Sequence, residues 1–295
     1  MNSAAASPLY ARLAIHLFFL LVSVCMAVPF LMMIIASFSS EQSIINHGFS
    51  FLPKQFSVEA YRIIFKNPML LMNGYLVTIT ITVIGTLSAL LLTALTAYPI
   101  SRREYRYRGA TTFYIFFTML FSGGLVPFYI LMTQYLHLKD TLGALILPLL
   151  LSPYNIMIMK AFLDKIPGEI VESAKIDGAR EIRIFFRIIL PLSGPALATL
   201  GLFIAFGYWN DWFNALLYID NPRLVPLQLL LARIINQIEF LSSSPLANGL
   251  VDTSKFPTLT TRMAMAVMVG GPMLILFPFV QKHFVHGVTV GSLKG

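Results

Sequence analysis

The chain has 295 residues, of which 57% are hydrophobic and 12% charged, with a mean hydropathy of +0.77. Soluble domains carry about 25% charge, so this composition excludes an ordinary soluble globular protein and requires lipid as solvent. The net charge of +8 comes without any basic stripe interleaved with aromatics, which argues against nucleic acid, and the one cysteine, Cys25, lies in an apolar run where no internal disulfide can form.

Crossing the hydrocarbon core takes roughly 20 mostly apolar residues in a helix. Six stretches meet that length, at about 13–38, 72–99, 110–136, 142–163, 194–217 and 263–280. They predict an all-α integral membrane protein with a single membrane domain over 1–295. The first stretch has no convincing small-residue cleavage site and is too long for a signal-peptide core, so it is a retained anchor. Lys and Arg set the orientation. With the N-terminus inside, 13 of the 21 basic residues fall on the inner side, and Arg102-Arg103-Glu104-Tyr105-Arg106-Tyr107-Arg108 is the sharpest vote. Both termini are then cytoplasmic, with a short tail at 283–295. Outside, residues 39–70 carry Phe49, Phe51, Phe56, Tyr61 and Phe65 and suit a segment lying at the interface. Residues 218–261 predict a loop around one amphipathic stretch, Leu227–Phe240. Pro29, Pro127, Pro148, Pro153, Gly270-Gly271-Pro272 and Pro278 interrupt the spans. Each is either an ordinary bend or a hinge in a moving pathway.

The inner segment between the fourth and fifth spans stands apart. Eleven of the chain's 34 charged residues lie between Lys160 and Arg187, and each charge at the bilayer centre costs roughly 2.5–3.5 kcal/mol. Ile166, Ile170 and Ala174 recur at helical spacing, as do Ile182, Phe185, Phe186 and Ile189, with the turn signal Asp177-Gly178 between the two sets. Residues 164–191 therefore predict a helix–turn–helix that projects from the membrane, buries its stripes against something and ends at Pro191.

Within it, Glu172-Ser173-Ala174, three residues, Gly178, nine residues and Ile188-Ile189-Leu190-Pro191 resemble the EAA motif of ABC importer permeases, with Ser173 in place of the usual first alanine. Gly123-Gly124-Leu125-Val126-Pro127, the run from Asp140 to Pro148, Phe206-Gly207-Tyr208-Trp209-Asn210 and the tail Gly287–Gly295 are similar to the carbohydrate-importer branch, the maltose-permease group. That branch includes the paired membrane subunits of a bacterial alginate importer. The resemblance implies a permease subunit of the bacterial inner membrane that moves an oligo- or polysaccharide inward. Its expected partners are a second, homologous permease, two ATPase subunits that hold ATP and Mg, and an extracytoplasmic solute-binding protein. The loop then becomes a coupling helix: Glu172 pairs with a basic ATPase residue, and Ser173, Ala174 and Gly178 permit close packing. Asp177 and Arg180 contact the rim, while Ile188, Leu190 and Pro191 fix the exit into the fifth span.

Trp209, Asn210, Asp211, Trp212 and Asn214 put an acid, two amides and two aromatic faces at the outer end of the fifth span, and Tyr154 and Asn155 lie within the fourth. Aromatic faces beside amides suit sugar rings; belt aromatics and helix-capping polar groups give the same pattern. His16, His47, His137, His283 and His286 form no metal-ligand set, and no G-x4-G-K-[ST] phosphate loop is present. The chain is expected to hydrolyse no ATP and to bind no cofactor itself. An ion-coupled carrier would place buried charges in several spans, and a membrane enzyme would cluster His, Asp or Glu at a span end; the sequence has neither pattern.

Overall fold

The computed structural model describes residues 9–243 and 257–292. Every regular element among them is helical, beside one isolated antiparallel bridge between Ser39 and Phe56. Among the described residues, three helices are long and apolar enough to cross a membrane unbroken, Tyr10–Ser37, Pro68–Ser101 and Thr258–Ile275. Three bent pairs are long and apolar enough together: Arg108–Leu120 with Leu125–Tyr135 at 108°, Leu142–Leu149 with Pro153–Leu163 at 51°, and Glu181–Leu192 with Gly194–Trp209 at 78°. Counting each bent pair once gives six.

The stretches 110–136 and 142–163, expected as continuous spans, are therefore broken, the fifth is bent against the helix that precedes it, and each break has a local cause. The first falls at Ser122-Gly123-Gly124, where Gly124 takes φ +87°, a conformation that L side chains rarely adopt. In the second, Pro148 and Pro153 withhold the amides that would continue the ladder, and Ser152 caps the new helix by accepting from Asn155 N–H. The third lies at Ser193-Gly194-Pro195, and its outer half stops at Trp209 instead of reaching Leu217. Pro29 and Pro272 sit inside continuous helices.

The chain folds as two compact units, Met1–Pro68 with Arg233–Gly271, and Met69–Ala232 with Pro272–Gly295. In the first, α1 (Leu9–Ser37) buries none of its apolar middle within the chain. Short helices α2 (Glu41–His47) and α3 (Glu59–Ile64) follow. Phe38 holds them together: its ring stacks on Tyr61 at 4.9 Å and on Phe56 at 5.8 Å, and Ser37 Oγ lies 2.8 Å from the Tyr61 hydroxyl. Phe49, Phe51, Phe56 and Phe65 are exposed, as a segment at an interface requires. Glu41 reaches the start of the last helix, where its carboxylate accepts from Leu259 N–H at 2.8 Å, Thr260 N–H at 2.9 Å and the hydroxyls of Thr258 and Thr260.

The second unit contains α4 (Pro68–Ser101), α5 (Arg108–Leu120), α6 (Leu125–Ile130), α7 (Leu142–Ile146), α8 (Pro153–Leu163), α9 (Gly168–Ile176), α10 (Glu181–Ile184), α11 (Leu190–Leu192), α12 (Gly194–Trp209) and α13 (Phe213–Tyr218). Its core joins Ala89, Ala94 and Ala97 of α4, Met159 and Leu163 of α8, Ile184, Phe185 and Ile189, and Leu200, Ile204 and Tyr208 of α12. Helix α14 (Leu227–Ser243) matches the expected amphipathic stretch, and its first amide donates to Thr78 Oγ1 on α4 at 2.9 Å. The last helix, α15 (Thr258–Ser292), runs unbroken through most of the expected tail. Residues 244–256 and 293–295, with Lys255 and Lys294, lie outside the described residues, as do the side chains of His283 and His286.

Candidate functional site

The projecting loop has the expected helix–turn–helix form, and its turn follows from one residue. Gly178 adopts φ +78°; its N–H donates to Lys175 C=O at 2.9 Å, and Ala179 N–H donates to Ala174 C=O at 2.9 Å. These two bonds make a Schellman stop for α9, with Ala179 closing over Ala174 on the core. No atom of the chain lies within 4 Å of where a Cβ on Gly178 would sit, so within this chain its glycine serves the left-handed turn. Ala174 is 8% exposed and packs beside Val171 on the chain's own core.

The stripes differ from those expected. Val171 replaces Ile170 on the inner face, and Ile184 with Phe185 and Ile189 replaces Ile182 and Phe186; Ile170, Ile182 and Phe186 are exposed. A π turn causes the second shift. Pro191 has no N–H to give Arg187 C=O, and the helix widens over Phe185–Ile189, with Leu190 N–H donating to Phe185 C=O. It does not end at Pro191 but continues to Leu192 and turns at Ser193, whose buried hydroxyl bonds Ile189 C=O at 2.7 Å. Ile188 and Leu190 are half-buried against the core, and Pro191 is exposed.

What remains outward at the tip is Glu172, Ser173, Ile176, Asp177, Gly178, Arg180 and Ile182. Ile176 is 87% exposed and Ile182 74%. Two isoleucines this exposed among charged residues are the kind of apolar anchor that a protein-docking surface carries. Ile176 was not singled out from the sequence, although it stands out of phase with the stripe of its own helix.

Behind the tip lies a polar network that crosses three segments. Lys175 Nζ lies 2.5 Å from Glu104 and 2.8 Å from Glu181, and Glu181 accepts from the Tyr98 hydroxyl at 2.7 Å. The Lys175 ammonium is held above its ordinary pKa, first by the hydrogen bond to Glu104 and then by that to Glu181. Arg102 lies over the Tyr98 ring at 4.7 Å, and Arg108 bonds Ile100 C=O at 3.1 Å and Asp164 at 3.4 Å. Between Arg102 and Glu172 opens a cleft of about 380 Å3. At the other end of this unit, Lys139 pairs with Asp220 at 2.7 Å, and Asp140 accepts from the amides of Asp220 and Asn221, both at 2.7 Å. The Asn221 amide, then that of Asp220 and the Lys139 charge, pull the Asp140 carboxyl below its ordinary pKa. Loops assigned to one side of the membrane by their charges thus meet each other.

The expected pathway residues are only partly brought together. Trp209 is buried and ends α12, while exposed Asn210 bonds Phe206 C=O through its amide and accepts from Gln228. Asp211 accepts from the Asn214 amide nitrogen at 3.1 Å and side chain at 2.8 Å, so these two satisfy each other across the helix break. Trp212 is 45% exposed, with Phe213 edge-on to it. Tyr154 is exposed and Asn155 half-buried, both in the first turn of α8 beyond its break. A larger cleft, about 510 Å3, sits at the elbow from Ser122 to Leu131. Among the described residues no three or more His, Cys, Asp or Glu come together as metal ligands.

Residues 89–290 match the family of the binding-protein-dependent transport system inner membrane component. The chain is 42% identical to protein LplC of Bacillus subtilis, over 90% of this chain and 89% of that one. It is 40% identical to the polygalacturonan/rhamnogalacturonan transport system permease protein YtcP of Bacillus subtilis, over 95% and 97%. Among solved structures, a chain from the crystal structure of a bacterial ABC transporter involved in the import of the acidic polysaccharide alginate superposes with a TM-score of 0.80 at 28% identity. That match covers 96% of this chain and 100% of the other.

Proposed function

The chain belongs to the inner membrane component family of binding-protein-dependent transport systems, and from that premise we propose that it is one of two permease subunits of an ATP-driven importer of uronate-containing oligo- or polysaccharides. Relatives named for polygalacturonan, rhamnogalacturonan and alginate handling support that substrate class. The observation that carries the mechanism is the tip formed by Glu172, Ser173, Ile176, Asp177, Gly178, Arg180 and Ile182, an outward apolar and charged surface on a loop whose inner face is buried in the core. Two separate ATPase subunits dock there and hold ATP and Mg, and their closure moves the spans. A second, homologous permease completes the pathway, and an extracytoplasmic binding protein delivers the saccharide. Both termini are cytoplasmic, which places the Arg102–Arg108 loop and the docking tip on the same side. Exposed Trp212, Asn210 and Tyr154 are the residues available to sugar rings and hydroxyls, while Asp211 and Asn214 shape the break that presents them.

The test is ATPase activity of the reconstituted complex with its binding protein, measured with oligogalacturonate, alginate oligomers and neutral maltooligosaccharides. Stimulation by a uronate series and none by the neutral series is the expected result. Stimulation by the neutral series alone rejects the substrate class, and a chain that purifies without any ATPase rejects the coupling.

A further inference from the structure

The docking tip and the long span α4 share one apolar core, and a polar connection between them runs through side chains outside the motif. Lys175, one turn before Gly178, bridges Glu104 of the Arg102–Arg108 loop and Glu181 at the start of α10. Glu181 in turn holds the hydroxyl of Tyr98, three residues before the end of α4, at 2.7 Å. The Tyr98 ring is 8% exposed and packs against Phe185, 5.5 Å between centroids, inside the core. A pull on the turn therefore reaches α4 through one uninterrupted chain of polar contacts, from Lys175 to Glu181 to Tyr98.

Coupling needs an element with two arrangements, and Arg102 supplies the second. Its guanidinium lies over the Tyr98 ring, and its Nε and Nη2 are buried without a hydrogen-bond partner. Buried donors left unpaired are costly. Two such donors next to a carboxylate already shared between a lysine and a tyrosine give that carboxylate a second place to go.

We propose that Tyr98, Glu181 and Lys175 form a latch that ties the docking turn to the inner end of α4, and that Glu181 exchanges this pairing for Arg102 when the turn is displaced. These are positioning residues: they act through the turn and α4 and contact neither nucleotide nor saccharide. The proposal rests on the reading of the tip as the ATPase dock.

The test uses the whole complex, with its ATPases, second permease and binding protein. Its readout is the ratio of ATPase activity with and without the oligosaccharide that stimulates the unmodified complex best among the three series above. Tyr98→Phe removes one hydroxyl and keeps the ring; Lys175→Met removes the bridge at a half-buried position behind the tip. Both are expected to retain ATPase co-purification and basal hydrolysis while the stimulation ratio falls roughly three- to thirtyfold, the range that coupling mutations span. Lys175→Arg, which keeps the charge, is expected to hold the ratio near that of the unmodified chain. An unchanged ratio in assembled Tyr98→Phe or Lys175→Met complexes overturns the latch, as does an equal loss in Lys175→Arg and Lys175→Met. If Tyr98→Phe does not assemble, the two lysine variants decide alone. Failure of the unmodified chain to bring down ATPase counts instead against the docking role of the tip, so the two failures are distinct.

Discussion

Gly85 on α4 and Tyr208 on α12 share one site: a methyl group at position 85 would fall 2.5 Å from Cζ of the Tyr208 ring. Tyr208 is buried, and its hydroxyl donates to Ile146 C=O at 2.8 Å, just where α7 gives way to the turn around Pro148. One aromatic side chain thus joins two spans face to face and holds the break in a third. Gly85→Ala must displace that ring, and overpacking of this kind costs about 1–3 kcal/mol. Tyr208→Phe loses a bond worth about 1 kcal/mol and leaves the carbonyl unsatisfied. Thermal unfolding of the complex in detergent should rank Gly85→Ala as the more damaging; equal melting of both with the unmodified chain would contradict the contact.

Gly178 sits in open space within this chain at positive φ, so a loss within the chain on substitution is conformational. A left-handed L-residue costs roughly 1–2 kcal/mol, and asparagine tolerates the region better than alanine. Uptake and ATPase co-purification should fall in the order Gly178, Asn, Ala, Val. If alanine and asparagine behave alike, the turn geometry is not what the position supplies.

Asp140 joins the two loops at the far end of the second unit. Its native pKa lies below the unfolded value of 3.8, because the Asn221 and Asp220 amides and Lys139 favour the charged form. A depressed carboxylate contributes stability that is fully present above pH 3.8 and is lost as pH falls through the lower native value. Asp140→Asn keeps the shape and suits the local φ of +57°. It should lower the melting temperature at neutral pH and flatten its fall on acidification below pH 3.8. A melting curve with the same acid dependence in both chains would refute the tie.

Glu41 caps α15 from a distance in sequence, accepting from two amides and two hydroxyls. Loss of a helix cap costs about 0.5–2 kcal/mol. Glu41→Gln, with one acceptor oxygen, should fall between the unmodified chain and Glu41→Ala. Hydrogen exchange of the Leu259 and Thr260 amides measures it directly, and protection that survives Glu41→Ala would exclude the cap.

How much of this was readable in advance depended on the range of each interaction. The turn at Asp177-Gly178 and the amphipathic helix after Leu227 follow from local hydropathy and backbone freedom and are present, whereas of the six apolar stretches three are unbroken helices and the others take part in bent pairs. The family emerged from five spaced residues between Glu172 and Pro191. The phase of the helix after Arg180 was lost because Pro191 acts backwards, through a π turn, on residues already assigned to a stripe. Breaks at Gly124 and Ser193 were visible as glycine and proline, but their angles depend on what packs around them. Tyr98 bonding Glu181 across 83 positions has no local signature at all. Among the pathway residues, Asp211 and Asn214 suited either sugar contact or a capping role, and in the fold they bond each other.

The elbow at Ser122-Gly123-Gly124 has a bearing on how many copies a cell can keep. Residues 121–125 are exposed, and helix ends on either side leave several carbonyls and amides without intrahelical partners. Hydrocarbon cannot hydrogen-bond them. Such a seam is tolerable only when covered by protein or water, so a copy made in excess carries its own mark of surplus. Expressed without the rest of its complex, the chain should decay faster in a pulse-chase experiment than when the complex is made with it, and the membrane would then match subunit numbers by disposal rather than by balanced synthesis.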